Sequence, residues 1–199
     1  MPKDTFFNLP PKKRELVLDV IKKEFEKHPI SEASVKDIVN DLGIARGSFY
    51  TYFENLEESY FYILDQETIE VHELLLDLLR EHRGDLFKTF PDYGKALARE
   101  LFKSEKHALY RNRFLYWTSD LEQQWRHYQA VNHEEKRLVM ESDFMRDGND
   151  DLKEIREFIK AVIHALIRRL FAENWDSETF LKHYDSQVQL MEHGIKSNL

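Results

Sequence analysis

Apolar positions along this chain recur at helical spacing and nowhere alternate as strands do. Leu16, Val17, Val20, Ile21 and Phe25 line one face of a segment that opens at Pro10-Pro11 and runs to about Lys27. Proline suits a first helical turn, and His28-Pro29 closes the segment. Val35, Ile38, Val39 and Leu42 mark a second, shorter helix, with Ser34 before it and Asp37 three residues on in a capping-box pattern. Gly43 stands where that helix must end, at a position that often takes a positive φ. Ile44 turns back into the core and Ala45 opens a third helix, whose Phe49 and Phe53, four apart, face inward.

From Asn55 to about His82 the pattern predicts one long helix, with Tyr60, Ile63, Leu64, Ile69, Val71, Leu74, Leu75 and Leu78 or Leu79 on its apolar face. It would span about 40 Å at 1.5 Å per residue. Arg83-Gly84-Asp85 breaks it, and Pro91 is expected to begin the next helical stretch. Between Gly94 and Gly148 there is neither glycine nor proline, too long a run for one helix of a globular domain. Ser104 and Ser119-Asp120-Leu121-Glu122 are the expected internal caps, and MRDGNDD, Met145 to Asp151, the expected loop. Leu152, Ile155, Phe158, Ile159, Val162, Ile163, Leu166, Leu170 and Phe171 form one wide stripe; after Asn174 to Ser177, Phe180, Leu181, Tyr184, Val188, Met191 and Ile195 form another. The fold class is all-α.

Residues 34 to 53, SVKDIVNDLGIARGSFYTYF, are two short helices joined by a tight turn. This is helix-turn-helix logic, in which the second helix enters the DNA major groove. Ala45, Arg46, Gly47, Ser48, Tyr50, Thr51 and Tyr52 are small, hydroxylic, aromatic or cationic. Small residues let a backbone approach the groove, Arg46 suits bidentate contact with guanine, and the hydroxyls suit phosphates or base edges. Ser34 and Lys36, at the start of the preceding helix, complete the candidate DNA-binding set. With Gly47 inside it and aromatic or β-branched residues around it, the second helix has little helix-forming power, so tertiary packing must hold it.

The run Gly43-Ile44-Ala45-Arg46-Gly47-Ser48-Phe49-Tyr50-Thr51-Tyr52-Phe53 resembles the TetR family of bacterial transcriptional regulators. That family's pattern is a Gly-hydrophobic pair, a small or polar step, Gly-Ser/Thr, and an aromatic Tyr-x-Tyr-Phe ending. The likeness covers roughly the first sixty residues. It implies an N-terminal three-helix helix-turn-helix DNA-binding domain at 1–54. It also implies a C-terminal helical ligand-binding and dimerisation domain at 55–199, with 55–82 as the linking helix. One departure stands out: the family places a Lys just after Tyr-x-Tyr-Phe to contact phosphate, and here that position is Leu56, followed by Glu57 and Glu58.

Charge complicates the DNA reading. The net charge is −8 over 199 residues, while residues 1–53 carry nine Lys or Arg against eight Asp or Glu. DNA binding needs a locally basic face rather than a basic protein, and Lys12, Lys13, Arg14, Lys36 and Arg46 would provide one. The acidic total and Leu56 favour the alternative, a helical interaction module whose helix-turn-helix contacts a protein partner. The clustering of Arg46, Gly47, Ser48, Tyr50 and Tyr52 favours DNA.

Hydrophobic residues make up 42% of the chain, enough for a core. No apolar run approaches the roughly 20 residues of a membrane span, the N-terminal stretch lacks the apolar segment of a secretory signal, and there is no cysteine. A cytoplasmic protein is expected. There is no phosphate-cradling glycine loop, no GxSxG and no HExxH, so neither an enzyme nor a cofactor or metal is expected.

Ten of the 26 aromatic residues fall between Phe87 and Tyr128. They suit either core packing or an apolar pocket with a few polar groups. The family resemblance implies a small-molecule effector enclosed by the middle helices, hydrophobic or aromatic, and cationic if Glu122 offsets its charge and the rings add cation–π attraction. The candidate lining is Phe87, Tyr93, Tyr110, Phe114, Trp117, Glu122 and Trp125. The two C-terminal stripes suit either the monomer core or a two-fold four-helix interface. The resemblance favours a homodimer, with Ile155, Phe158, Ile159, Val162, His164, Leu166, Tyr184, Val188 and Met191 at the interface. His164 reads there as an interface histidine rather than a metal ligand.

Overall fold

In a computed structural model, residues 1–132 and 150–196 are described, and all their regular structure is helical. The helices are α1 (Asp4–Phe7), α2 (Pro11–Lys27), α3 (Val35–Leu42), α4 (Arg46–Tyr52), α5 (Leu56–Glu81), α6 (Leu86–Leu101), α7 (Ser104–Leu115) and α8 (Ser119–Asn132), then α9 (Asp150–Ala172) and α10 (Ser177–Lys196). The loop expected at Met145 to Asp151 lies outside the described residues, except that Asp150 and Asp151 already belong to α9.

Helix ends explain most boundaries. α2 stops because His28 is extended before Pro29. α3 closes on Gly43, at φ 63°, with the Ile44 amide donating to the Val39 carbonyl at 3.0 Å. The same closure ends α5, where Arg83 takes φ 57° and the Gly84 amide reaches the Leu79 carbonyl at 2.8 Å. It recurs after α9, where Asn174 takes φ 50° and the Trp175 amide reaches the Leu170 carbonyl at 2.9 Å. In each, a left-handed residue lets the next amide satisfy a carbonyl five residues back.

Three expectations are corrected. Ser34 Oγ does cap α3, accepting from the Lys36 amide at 3.1 Å, but Asp37 does not return the bond. The Ser34 amide instead donates to Oε1 of buried Glu24 at 2.9 Å, so α2 completes the box. Pro91 does not begin a helix: Asp85 caps α6 at Leu86 by accepting from the Lys88 amide at 3.1 Å, and Pro91 sits inside. The buried face of Phe90, Tyr93, Leu97 and Leu101 carries the helix past it. α8 is capped by Thr118, whose Oγ1 accepts from the Leu121 amide at 3.2 Å, one residue before the expected Ser119.

The chain forms two compact units, Met1–Ile69 with Ala108–Glu134, and Glu70–His107 with Glu135–Leu199. In the first, α2 packs on α3, α3 on α4, and α1 on α4. One cluster joins Phe6, Ile21, Phe25, Ile38, Phe49, Phe53, Tyr60 and Leu64 to Leu109, Leu121, Trp125 and Tyr128. Asn112 fastens α7 to the end of α2, its amide donating to the carbonyls of Phe25 at 2.9 Å and Glu26 at 3.1 Å. Those are last-turn carbonyls that the helix itself cannot satisfy. The short α1 has no helical periodicity in sequence and exists because Phe6, 0% exposed, is buried, a gain of about 2 kcal/mol.

In the second unit α10 packs on α6 and on α9. Tyr184 of α10 is fully buried and donates to the Phe90 carbonyl at 3.1 Å. Gly94 is the position that admits the ring: a Cβ there would lie 2.4 Å from the Tyr184 Cε1. Gly94→Ala is therefore expected to destabilise the protein by about 1–3 kcal/mol, despite the roughly 1 kcal/mol that alanine gains in helix propensity. A lower urea midpoint by circular dichroism, with native helicity kept, is the check.

Candidate nucleic-acid interface

α4 divides cleanly between an inner and an outer face. Phe49 and Phe53 are fully buried, 5.5 Å apart between ring centres. Tyr52, at 8% exposure, also turns inward, 6.3 Å from the Phe6 ring. Ala45, Arg46, Gly47, Tyr50 and Thr51 are exposed, and Ser48 is half-buried. Arg46 and Tyr50, one turn apart, meet at 3.5 Å through the guanidinium and the phenol oxygen. Thr51 Oγ1 donates to the Ser48 carbonyl at 2.6 Å. Ser34 is committed to capping α3, and Lys36 is exposed in its first turn.

Gly47 is the informative residue. Its φ is helical and a Cβ there would meet nothing within 4 Å. Glycine in a helix costs about 1 kcal/mol against alanine, and nothing inside the fold requires it. A bare backbone on an exposed face suits close approach of something outside the chain.

Ion pairing sorts the cations that composition left mixed. Lys22 pairs with Glu67 at 2.7 Å, Lys23 with Asp19 at 2.7 Å and Lys27 with Asp41 at 3.7 Å. Lys3 and Arg14 bond to peptide carbonyls, of Tyr50 at 2.9 Å and of Phe7 at 3.1 Å, rather than to acids. Among the described residues Lys12, Lys13, Lys36 and Arg46 make no ion pair, so their charge is available to phosphates. Leu56 is packed against the apolar core, which explains how that position dispenses with a charge.

Sequence reasoning missed the N-terminal arm. The Lys3 amide donates to the Tyr52 carbonyl at 2.8 Å, Lys3 Nζ to that of Tyr50, and Thr5 Oγ1 to that of Thr51. The signal available was the apolar group Phe6, Phe7 and Leu9 just ahead of Pro10.

The candidate ligand residues fall in both units. Phe87 and Tyr93 lie on α6 in the second, where Phe87 meets Phe90 at 5.9 Å. Tyr110, Phe114, Trp117, Glu122 and Trp125 lie in the first. There Trp117 and Trp125 sit 6.5 Å apart, Trp125 stacks on Tyr128 at 5.7 Å, and Phe61 touches all three. Burial pushes the Tyr60 phenol up to about 12, so it stays neutral. Both Glu122 oxygens are engaged, Oε2 by the Trp117 indole and Oε1 by Arg126, each at 2.8 Å. Arg113 lies 5.7 Å from the Trp117 ring centre and 5.4 Å from that of Phe114. Burial lowers its pKa from the ordinary arginine value. A depression of about 440 Å³ opens beside Trp117, lined by Ile30, Ser31, Leu115, Tyr116, Thr118 and Leu121.

The candidate dimer residues are also of two kinds. Ile159, Leu166, Tyr184, Val188 and Met191 are buried within the chain, and Ile155 and Val162 are half-buried. Phe158, at 52%, and His164 face outward. Leu190, at 64%, is an outward apolar residue that periodicity alone did not single out.

Comparison with known proteins agrees with this architecture. Residues 17–58 match the family model described as bacterial regulatory proteins, tetR family, and residues 86–194 match that for the tetracyclin repressor C-terminal domain. A TetR family transcriptional regulator from Chloroflexus aurantiacus J-10-FL is similar in structure at TM-score 0.50 and 22% identity, over 98% of each chain. NalD of Pseudomonas aeruginosa, the secondary repressor of the MexAB-OprM multidrug efflux pump, is similar at TM-score 0.62 and 18% identity, over 90% of this chain and 96% of its own. The fatty acid degradation regulator FadR of Bacillus halodurans gives TM-score 0.56 and 14% identity, over 89% and 96%. No curated protein matches the sequence.

The open space at Gly47 generates a test that separates folding from recognition. Gly47→Ala should raise stability by about 0.5–1 kcal/mol in chemical denaturation, because the added methyl meets no protein atom. The same variant should bind DNA more weakly than wild type in a titration.

Proposed function

This chain belongs to the TetR family of bacterial transcriptional regulators, and from that premise we propose that it works as a homodimeric repressor, binding a palindromic operator and released by a small apolar effector. Residues 1–54 read DNA; residues 55–199 bind the effector and dimerise, with the long helix through 55–82 linking the two tasks. The observation that carries the DNA reading is the outer face of α4, where Arg46, Tyr50 and Thr51 flank a glycine that the fold itself does not need. The exposed Lys12, Lys13 and Lys36 supply sequence-independent attraction to phosphate despite the net charge of −8.

Two heads must lie about one helical turn of DNA apart, roughly 34 Å, to occupy paired half-sites. An effector acts only by binding more tightly to a form of the dimer in which that spacing is lost. The outward Phe158 and Leu190 support pairing of α9 and α10 with a second copy. Arg113 already supplies a cation to the Trp117 and Phe114 rings, and Glu122 is engaged by Arg126. These contacts favour a neutral or acidic apolar effector over a cationic one. Among the described residues no helix is long and apolar enough to cross a membrane, and we place the protein's action in the cytoplasm, where operators are.

Selection of bound sequences from random duplex DNA, followed by titration across a salt series, tests the reading. An enriched inverted repeat with a steep loss of affinity at higher salt is expected; no enrichment, with and without apolar compounds present, would sink it. Arg46→Ala and Tyr50→Ala should each weaken operator binding by about 1–3 kcal/mol, or roughly five- to 150-fold. Both should leave the oligomeric state by light scattering unchanged. Neutral or acidic apolar compounds should quench Trp117 and Trp125 fluorescence saturably and lower operator affinity; a response confined to cationic compounds would contradict the assigned charge preference.

A further inference from the structure

We propose that Lys3, Thr5 and Phe6 are positioning residues for DNA recognition, forming the C-terminal cap that α4 lacks in its own sequence. This rests on the reading of α4 as the DNA-contacting helix. α4 has seven residues, and Ala45 before it offers no side-chain cap. Isolated helices this short are not stable in water, and an internal glycine weakens this one further. A helix also leaves its last four carbonyls without internal partners.

Those four carbonyls are all accounted for. The Phe53 amide reaches the Phe49 carbonyl at 3.0 Å. Lys3 Nζ donates to Tyr50 O at 2.9 Å, Thr5 Oγ1 to Thr51 O, and the Lys3 amide to Tyr52 O at 2.8 Å. Three consecutive orphan acceptors are thus met by two residues from a segment some 45 positions away. Lys3 also brings a positive charge to the negative end of the helix dipole.

Phe6 anchors the segment that delivers these donors. Its ring lies 5.1 Å from Phe53 and 5.8 Å from Tyr62, and it is fully buried. Arg14 of α2 ties the far end of α1 by donating to the Phe7 carbonyl. The arm therefore bridges α2, α4 and the start of α5, and fixes the end of α4 that carries Tyr50 and Thr51. The contacts are made to backbone, so they set where those side chains stand without touching DNA themselves.

The test is the double variant Lys3→Met, Thr5→Val in the full chain, with Lys3→Arg, Thr5→Ser as the conservative control. The first removes both side-chain donors while keeping the Lys3 amide and the Phe6 anchor. Amide hydrogen exchange without DNA should become about ten-fold faster at Tyr50 to Phe53 in the first variant, with Val17 to Phe25 of α2 unchanged. Affinity for the selected operator should fall about ten-fold or more, and the conservative variant should restore most of both. Unchanged exchange in α4, or unchanged operator affinity alongside faster exchange, overturns the positioning role. A wild-type protein that selects no DNA, with α4 exchange still accelerated in the variant, overturns the DNA reading and the recognition role while leaving the helix cap standing.

Discussion

The backbone of α4 cannot satisfy or support itself, and much of the first unit is arranged around that fact. A seven-residue helix with glycine at its second position gains too few internal hydrogen bonds to offset the entropy of ordering it. Its inner face supplies the compensation. Phe49 and Phe53 are sealed under α3, the start of α5 and the Phe6 ring, so the outer face is held still without contributing to the packing. This separation frees the outer residues to be chosen for what they meet outside the chain.

How far the sequence disclosed this depends on the range of each interaction. The end of α3 was legible because Gly43 acts locally, through its own φ. The inward turn of Phe49 and Phe53 was legible because helical spacing alone places them. The partner of Ser34 was not, since Glu24 reaches it from another helix and Asp37 offered a local substitute that the fold does not use. Pro91 misled because its usual place is a first turn, whereas the buried face of α6 keeps the helix running past it. The arm at Lys3 to Phe6 was hidden for the same reason as Glu24: its donors serve acceptors far along the chain.

The candidate site shows the same limit in its charges. Counting residues 1–53 gives near balance between cations and carboxylates, yet pairing is uneven. Lys22, Lys23 and Lys27 are matched to acids, while Lys12, Lys13, Lys36 and Arg46 are not. That sorting depends on which side chains the fold brings together, which composition does not display. The aromatic region carries a parallel lesson. Its rings were visible in sequence, but Arg113 lying over Trp117, and Glu122 held by Trp117 and Arg126, depend on how the helices pack and were not.

Asn112 gives this architecture an evolutionary corollary. By capping the end of α2 from α7, and with Leu109, Leu121 and Trp125 sharing one core with Phe25 and Ile38, it makes the DNA-reading head continuous with helices encoded much later in the chain. The head is thus no cassette. Recombination that exchanged only the first fifty-odd residues between related regulators would strip α2 of its closing donor and leave half a core behind. Under the proposed reading, changing single outward residues of α4 is the route that leaves this shared core intact.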